Sequence, residues 1–153
     1  MSRYTATIAW MRAEGTAFTD RRYSRAHRWL FDGGVEVPAS ASPHIVPLPY
    51  SVAENVDPEE AFVAALASCH MLFFLDFAAR HGLLVDRYED AAEGILEKDG
   101  NGTLAMTRVV LKPRVTYGGP PPDRSVEADL HHSAHEACFL ARSVKSTIDI
   151  DLG

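Results

Sequence analysis

Residues 57–82, DPEEAFVAALASCHMLFFLDFAARHG, decide the fold of this chain. The segment opens with a helix-start pattern. Asp57 can accept hydrogen bonds from first-turn amides, Pro58 suits the first helical position, and Glu60 completes a capping box. Gly82 is a natural helix C-cap. The pattern predicts one helix of about 24 residues, or about 36 Å at about 1.5 Å per residue.

Nearly every position from 61 to 75 is apolar, which is typical of a helix buried on all sides. The middle of this run nevertheless contains Ser68, Cys69 and His70, where Ala or Leu would pack with less difficulty. A thiol flanked by two polar groups in an apolar helix is the strongest functional signal in the sequence. We therefore take Cys69 as the first candidate for a chemical role.

The composition is that of an ordinary globular protein, with 46% apolar and 24% charged residues in 153 positions. We expect a single domain over residues 1–153. The net charge of −6 gives no reason to expect nucleic acid or an anionic membrane as a partner. The first residues lack a secretory signal pattern, and the apolar part of the helix, about 15 residues, is shorter than the roughly 20 needed to cross a bilayer. We expect a cytoplasmic protein.

Before the helix, the sequence predicts an antiparallel meander. Residues 2–11 and 21–31 alternate in the manner of half-buried strands, Asp32-Gly33-Gly34 is a hairpin signal, and 35–37 is a short strand. The four prolines between 38 and 56 indicate a long covering loop without regular structure.

After the helix, residues 83–98 suit either helix or strand. We assign a strand, because the turn at 99–102 leads into the β-branched segment 103–116 and the two would form a hairpin. Residues 123–143 predict a second helix, and 147–152 a final strand. The inward candidates of the second helix are Leu130, Ala134, Ala137, Phe139 and Ala141.

A thiol in an apolar helix becomes a good nucleophile only if a cation or a hydrogen-bond donor stabilises the thiolate. Arg25 and Arg28 of the predicted strand 21–31 are the candidates, and strand alternation allows only one of them to face the helix. Arg25 would share its face with Tyr23. The alternative is that both arginines are solvated and that Cys69 is a small core residue.

The second cysteine lies in the predicted second helix. There His131, His135 and Cys138 recur at i, i+4 and i+7 and share one face, which could bind zinc with a fourth ligand such as Cys69 or His70. The competing role for Cys138 is that of a resolving thiol, which condenses with a Cys69 sulfenic acid to form a reducible disulfide.

Two motifs carry a family resemblance: DPEEAFVAALASCHMLFFL around Cys69 and AHEACFLARS around Cys138. Together with YSRAHRW, FDGG and VVLKP, they make the chain resemble the OsmC/Ohr family, the osmotically induced and organic hydroperoxide resistance proteins. The motif SCHM at residues 68–71 resembles the OsmC-like branch of the family more than the Ohr members. The resemblance implies an α+β fold, with antiparallel sheets wrapped around two helices and a long buried central helix.

In function, the resemblance implies a thiol-dependent, peroxiredoxin-like peroxidase that reduces organic hydroperoxides at Cys69, with Cys138 resolving and no cofactor. It also implies an arginine and a glutamate of the site, which match Arg25 and Glu59. The reductant implied is a dithiol of the lipoyl type. The chain departs from the family where Asp57 replaces a common Asn and Arg142 replaces a usual Asn.

Helix geometry adds an independent expectation. Glu59 and Cys69 are separated by about 15 Å along one helix, so that either an arginine spans the gap or Glu59 serves a second subunit. An antiparallel pairing of two central helices would also bury their remaining apolar faces, and the resemblance to the OsmC/Ohr family implies intertwined homodimers. On these grounds we expect a homodimer with composite sites. The alternatives to a peroxidase are a metal-binding protein that uses His131, His135 and Cys138, and a non-catalytic binder of a small apolar molecule.

Overall fold

The computed structural model describes residues 1–153. The chain forms two compact units, Met1–Ala61 and Phe62–Gly153, and the boundary between them lies within the long helix. We refer to them as the N-terminal and the C-terminal unit. The expectation of a single domain over residues 1–153 stays a prediction.

The N-terminal unit contains a three-stranded antiparallel sheet of β1 (Ala6–Ala9), β2 (His27–Phe31) and β3 (Glu36–Ala39), in the order β1-β2-β3. The predicted turn at residues 32–34 joins β2 to β3. Gly34 has a positive φ of 83°, a conformation that costs little only for glycine. The predicted meander is therefore confirmed.

The strand boundaries in this unit differ from the sequence prediction. Of the strand expected over 2–11, only Ala6–Ala9 forms. The strand expected over 21–31 begins only at His27, and Arg21 has a φ of 65°, which no strand residue adopts. Pro38 was expected to exclude regular structure but lies within β3. A proline is tolerated there because β3 is the edge strand of the sheet.

The central helix α1 spans Pro58–Arg80. The Glu60 amide donates to Asp57 Oδ1 at 2.8 Å and the Asp57 amide donates to Glu60 Oε2 at 3.2 Å, which is the predicted capping box. At the other end Gly82 has a φ of 72°. The predicted start and stop of the helix are both confirmed.

Within the chain, α1 is buried along one stripe, formed by Leu66, His70, Phe74 and Ala78. Leu72, on another face, is 61% exposed. The expectation of burial on all sides is therefore met only along the side that packs against the rest of its unit. By length and composition, α1 is also long and apolar enough to cross a membrane, contrary to the sequence-based expectation that its apolar run of about 15 residues is too short. The core helix of a soluble protein can be equally long and apolar, so this is weak evidence for a membrane span. The absence of a membrane partner stays a prediction.

The C-terminal unit continues with a long bent hairpin of four strands: β4 (Val85–Asp90), β5 (Glu93–Lys98), β6 (Leu104–Leu111) and β7 (Pro113–Tyr117). The strand assignment for 83–98 is confirmed, but each predicted arm is broken in two. β4 pairs with β7 and β5 with β6, so that they form separate sheets.

Strand β8 (Thr147–Ile150) pairs in parallel with β6, which makes a mixed three-stranded sheet in the order β5-β6-β8. Gly94 of β5 lies close to α1, since a Cβ placed there would come within 2.5 Å of Val63. Leu66 of α1 packs with Val109 and Leu111 of β6 in one core cluster.

The second helix α2 spans Arg124–Ala137, shorter than the predicted 123–143. Cys138 is the C-cap with an extended ψ of 114°, and a short 3-10 helix follows at Ala141–Ser143. Leu130 and Ala134 are buried as predicted, but Phe139 is 69% exposed because it lies beyond the end of the helix. Two helices with antiparallel and mixed sheets confirm the expected α+β class.

Candidate active site

The structure brings the two cysteines together. Cys69 lies in the middle of α1 and Cys138 caps α2, and the Cys138 thiol points at Cys69 with 2.7 Å between the two Sγ atoms. Both are free thiols. A disulfide requires about 2.05 Å between sulfurs, so only a small movement separates this pair from a covalent bond.

The two thiols differ in access to solvent. Cys69 is partly exposed, whereas Cys138 is buried with 1% of its surface accessible. Burial, together with the hydrogen bond to Cys69, raises the pKa of Cys138, while the Ala141 amide 3.4 Å from its sulfur acts in the opposite direction. Cys138 is therefore held as a protonated thiol, and Cys69 is the sulfur that an outside molecule can reach.

Cys69 opens into a cavity of about 450 Å³ in the C-terminal unit, which we call the Cys69 pocket. Phe139, the residue wrongly expected to face inward, forms one wall and packs edge-on against Phe73 with 5.1 Å between ring centroids. Asp76 is its only charged lining residue. The complete lining consists of Ala65, Ser68, Cys69, Leu72, Phe73, Asp76, Phe139 and Leu140.

The arginine candidates lie in the N-terminal unit. Arg25 precedes β2, so the strand-alternation argument does not apply to it. Its guanidinium stacks 3.8 Å from the centre of the Tyr23 ring and donates to the carbonyl oxygens of Arg21 and Tyr23. Arg28 instead forms an exposed ion pair with Glu36 at 3.1 Å.

Glu59 lies in the first turn of α1. Because Asp57 and Glu60 satisfy each other in the capping box, Glu59 is not needed for the helix start. Its Oε2 atom is buried without a hydrogen-bond partner, and none of the ion pairs in the structure joins Glu59 to Arg25. The structure thus leaves an unsatisfied carboxylate oxygen in this unit.

Arg25 also lines a second cavity, of about 400 Å³, which we call the aromatic pocket. The Phe18 and Tyr23 rings stack there with 4.5 Å between centroids, and Trp10 lies against both. The sequence patterns do not reveal this cavity, because Phe18 falls between the predicted strands 2–11 and 21–31. The lining residues are Ile8, Trp10, Phe18, Tyr23, Arg25, His27, Ser40, Ala41 and Pro58.

The predicted metal-binding face is not formed. Cys138 lies beyond the last helical residue of α2, and His131 is turned inward, where its Nδ1 is 2.9 Å from Nε2 of His70. No group of three or more His, Cys, Asp and Glu side chains is placed to hold a metal ion. The zinc hypothesis for His131, His135 and Cys138 therefore has no geometric support.

The buried pair of His70 and His131 was missed as a unit by sequence analysis, although a signal existed. His70 belongs to the i, i+4 stripe of α1 that begins at Leu66, and His131 follows Leu130 on the buried side of α2. Each histidine therefore occupies a core position of an amphipathic pattern.

A partly exposed thiol beside a buried one, at the edge of an apolar pocket in an α+β protein, is an arrangement that suits thiol redox chemistry. The family model for OsmC-like proteins matches residues 52–153, and the chain belongs to this family. No curated protein has significant sequence similarity to the chain.

Solved structures agree with this placement. An OsmC-like protein of unknown function from Vibrio cholerae is 52% identical, with 99% of each chain covered and a TM-score of 0.97. An organic hydroperoxide resistance protein from Elizabethkingia anophelis is 16% identical, covering 97% of this chain and 94% of its own, with a TM-score of 0.67. The organic hydroperoxide resistance protein OhrB of Bacillus subtilis is 22% identical, covering 97% and 96%, with a TM-score of 0.62. Membership of the OsmC/Ohr family indicates a peroxide-related redox role.

Proposed function

We propose that the protein is a thiol-dependent peroxidase that reduces organic hydroperoxides to alcohols. The observation that carries the proposal is the Cys69–Cys138 pair, with 2.7 Å between the sulfurs and only Cys69 open to the apolar pocket. The names of the hydroperoxide resistance proteins that share the fold point to the same chemistry. The apolar lining favours alkyl and aromatic hydroperoxides over hydrogen peroxide.

The reaction proceeds in two thiol steps. The Cys69 thiolate attacks the outer oxygen of the hydroperoxide, the O–O bond breaks, and the alcohol leaves with a proton, which leaves Cys69 as a sulfenic acid. Cys138 then attacks the sulfenic sulfur, an S–S bond forms, and the sulfenic oxygen leaves as water. A dithiol reductant, by family analogy of the lipoyl type, reopens the disulfide and is itself oxidised.

The first step needs a cation near Cys69, and no lysine or arginine lines the Cys69 pocket. We assign this role to Arg25, held by Glu59. Two facts support the assignment: the unsatisfied Oε2 of Glu59, and an Arg25 side chain that has no carboxylate partner, because it stacks on Tyr23 and donates hydrogen bonds to backbone carbonyl oxygens. In this proposal Arg25 gives up its hydrogen bonds to the carbonyl oxygens of Arg21 and Tyr23, and binds Glu59 and the peroxide instead.

A homodimer would supply such a site from two chains. Ala64, Ala65, Ser68 and Leu72 of α1 are exposed in the single chain, and three of the four are apolar. Pairing with a second copy would cover this face and allow Glu59 of one chain to serve the thiol of the other. We place the protein in the cytoplasm, with no nucleic-acid or membrane partner.

The decisive assay is consumption of cumene or tert-butyl hydroperoxide in the presence of a dithiol such as dihydrolipoamide. We expect Cys69→Ser to abolish turnover, and Cys138→Ser to accumulate sulfenic acid that dimedone can trap. Ser133→Ala, an exposed position of α2, is the control for an unrelated side-chain change. Activity that survives Cys69→Ser rules the mechanism out.

The aromatic pocket favours one alternative, a non-catalytic binder of a small apolar molecule. The two functions differ in the behaviour of Cys69. In a peroxidase, iodoacetamide at pH 7 modifies Cys69 of the native protein and peroxide protects it by forming the disulfide. In a binder, peroxide gives no such protection.

A further inference from the structure

His70 and His131 form a buried pair between the two helices. Their facing nitrogens, Nε2 of His70 and Nδ1 of His131, are 2.9 Å apart, and the rings are nearly parallel with an interplanar angle of 3°. The two side chains are 1% and 2% exposed. Buried polar groups cost free energy unless they are hydrogen-bonded, and the other two ring nitrogens, Nδ1 of His70 and Nε2 of His131, are buried without a partner. The bond between the two rings is therefore the only hydrogen bond that either side chain makes, and its loss would leave both rings wholly unsatisfied.

The surroundings keep both rings neutral and fixed. The pKa of each histidine is lowered to about 4, by burial in both cases and, for His70, also by the charges of His131 and His135. A neutral imidazole has one donor and one acceptor nitrogen, so the pair forms one directional hydrogen bond. Phe74 stacks on His131 with 4.1 Å between ring centroids, which fixes the ring plane.

This pair and the thiols belong to the same junction. His70 directly follows Cys69 in α1, and His131 lies seven residues, about two helical turns, before Cys138. The His70–His131 and Cys69–Cys138 contacts are the two side-chain hydrogen bonds that connect α1 with the chain from Arg124 to Cys138. Phe74 and Ala78 of α1 also pack with Leu130 and Ala134 of α2, and such apolar contacts lack direction.

We propose that His70 and His131 are positioning residues: their hydrogen bond sets the axial register of α2 against α1, so that the Cys138 sulfur reaches Cys69 after Cys69 is oxidised. The inference rests on the proposed peroxidase function and adds a role for two residues outside the reacting atoms. A one-residue slip of a helix moves a side chain by about 1.5 Å, more than half of the present distance between the sulfurs.

The register matters for one step only. The sulfenic acid of Cys69 can react with Cys138, forming the disulfide and releasing water, or with a second hydroperoxide, forming sulfinic acid and releasing a second alcohol. The first route depends on the Cys138 distance and the second does not. Loss of the histidine pair should therefore slow disulfide formation and increase sulfinic acid, while the first attack on peroxide continues unchanged.

The test compares variants that remove the hydrogen bond with variants that retain it. His131→Leu and His70→Leu remove it, whereas His131→Asn places an amide near the former Nδ1 and His70→Gln places one near the former Nε2. The exposed neighbour His132, changed to Asn, is the matched control. Sulfenic acid formation is measured by dimedone trapping with Cys138→Ser added, and disulfide formation by rapid quench and mass spectrometry after one equivalent of cumene hydroperoxide.

We expect the leucine variants to form the disulfide about tenfold more slowly or worse, in line with the sensitivity of such reactions to small displacements. Sulfenic acid formation should stay within about twofold of wild type, because that step does not use Cys138. His131→Asn, His70→Gln and His132→Asn should remain close to wild type in both steps. Disulfide formation at the wild-type rate in the leucine variants overturns the inference.

Two further outcomes are informative. If the leucine variants do not fold, His131→Gln replaces them, since its amide lies one bond beyond that of Asn and cannot keep the alignment; equal disulfide rates for His131→Gln and His131→Asn then overturn the inference. If wild type itself forms no disulfide with peroxide, the proposed function fails, which is a distinct result from a wild-type disulfide that is insensitive to the histidines.

Discussion

Asp76 is the one charged side chain in the lining of the Cys69 pocket. Its carboxylate pairs with Arg80 at 2.8 Å, but both side chains are at least half exposed, and water screens such a pair strongly. A hydroperoxide that carries its own carboxylate would bring a second negative charge to this pocket. At such exposure the repulsion amounts to about 1 kcal/mol or less.

Asp76 should therefore select against free fatty-acid hydroperoxides. We predict that Asp76→Asn raises kcat/KM for linoleic acid hydroperoxide by about two- to fivefold, and leaves that for its methyl ester unchanged. Steady-state kinetics with the two substrates measures the ratio. Asp129→Asn, an exposed change on α2 away from the pocket, should leave the ratio as in wild type. An equal effect of Asp76→Asn on acid and ester would contradict the charge argument.

At the level of residues, the sequence identified the two thiols and a resolving role for Cys138, but not the distance between the sulfurs or the difference in their exposure. Cys69 was conspicuous because a polar group in an apolar run needs a reason, yet its 2.7 Å contact with a cysteine 69 positions away is a property of the tertiary fold. The argument for Arg25 from strand alternation failed, since β2 begins only at His27. Local periodicity cannot reveal a backbone that turns irregular before the strand starts.

At the level of elements, the capping residues at helix ends predicted element boundaries better than the residue patterns inside the strands did. The capping box at Asp57 and the glycine at 82 located α1 correctly because they satisfy local backbone groups. The division of each hairpin arm into two strands was not predictable in the same way. The Lys112 amide leaves the ladder and donates to the Asp90 side chain at 2.7 Å, a contact between residues 22 positions apart.

The junction between α1 and α2 should make the protein sensitive to acid. Burial, joined at His70 by the charges of His131 and His135, lowers the pKa of His70 and His131 from 6.5 to about 4. The Tyr88 ring also lies near His131, with 6.4 Å between centroids. Between pH 6.5 and 4 the unfolded chain binds protons that the folded protein does not, so the free energy of unfolding falls as the pH falls. Above pH 6.5 the pair has no such effect.

We predict that stability drops between pH 7 and pH 5 by up to about 2 kcal/mol for each histidine, as measured by urea unfolding at both pH values. The double variant His70→Gln with His131→Asn lacks both titrating groups and should show a smaller drop. His132→Asn, in which only an exposed histidine is lost, should retain the wild-type drop. Equal drops in the double variant and wild type would show that the acid sensitivity arises elsewhere.

At the level of the whole molecule, the burial of α1 is incomplete in one chain. Its buried residues form a single i, i+4 stripe, although the helix is apolar on most sides. Leu72 and Leu84 are each 61% exposed, but only Leu72 lies on the helix face that we assign to the second copy. The two leucines therefore form a matched pair for testing the assembly.

We predict that wild type sediments as a dimer, at twice the 16.8 kDa of the chain, and that Leu72→Asp is a monomer while Leu84→Asp remains a dimer. A charge placed in an apolar interface loses its hydration without gaining a partner, which is costly enough to dissociate the two chains.

Leu72 also lines the Cys69 pocket, so its substitution could affect substrate contact as well as assembly. Ala64→Glu separates the two effects, because Ala64 lies on the exposed side of α1 but outside the pocket. If the site is composite, Ala64→Glu should lose both the dimer and peroxidase activity; a monomeric variant with full activity would show that the site is not composite.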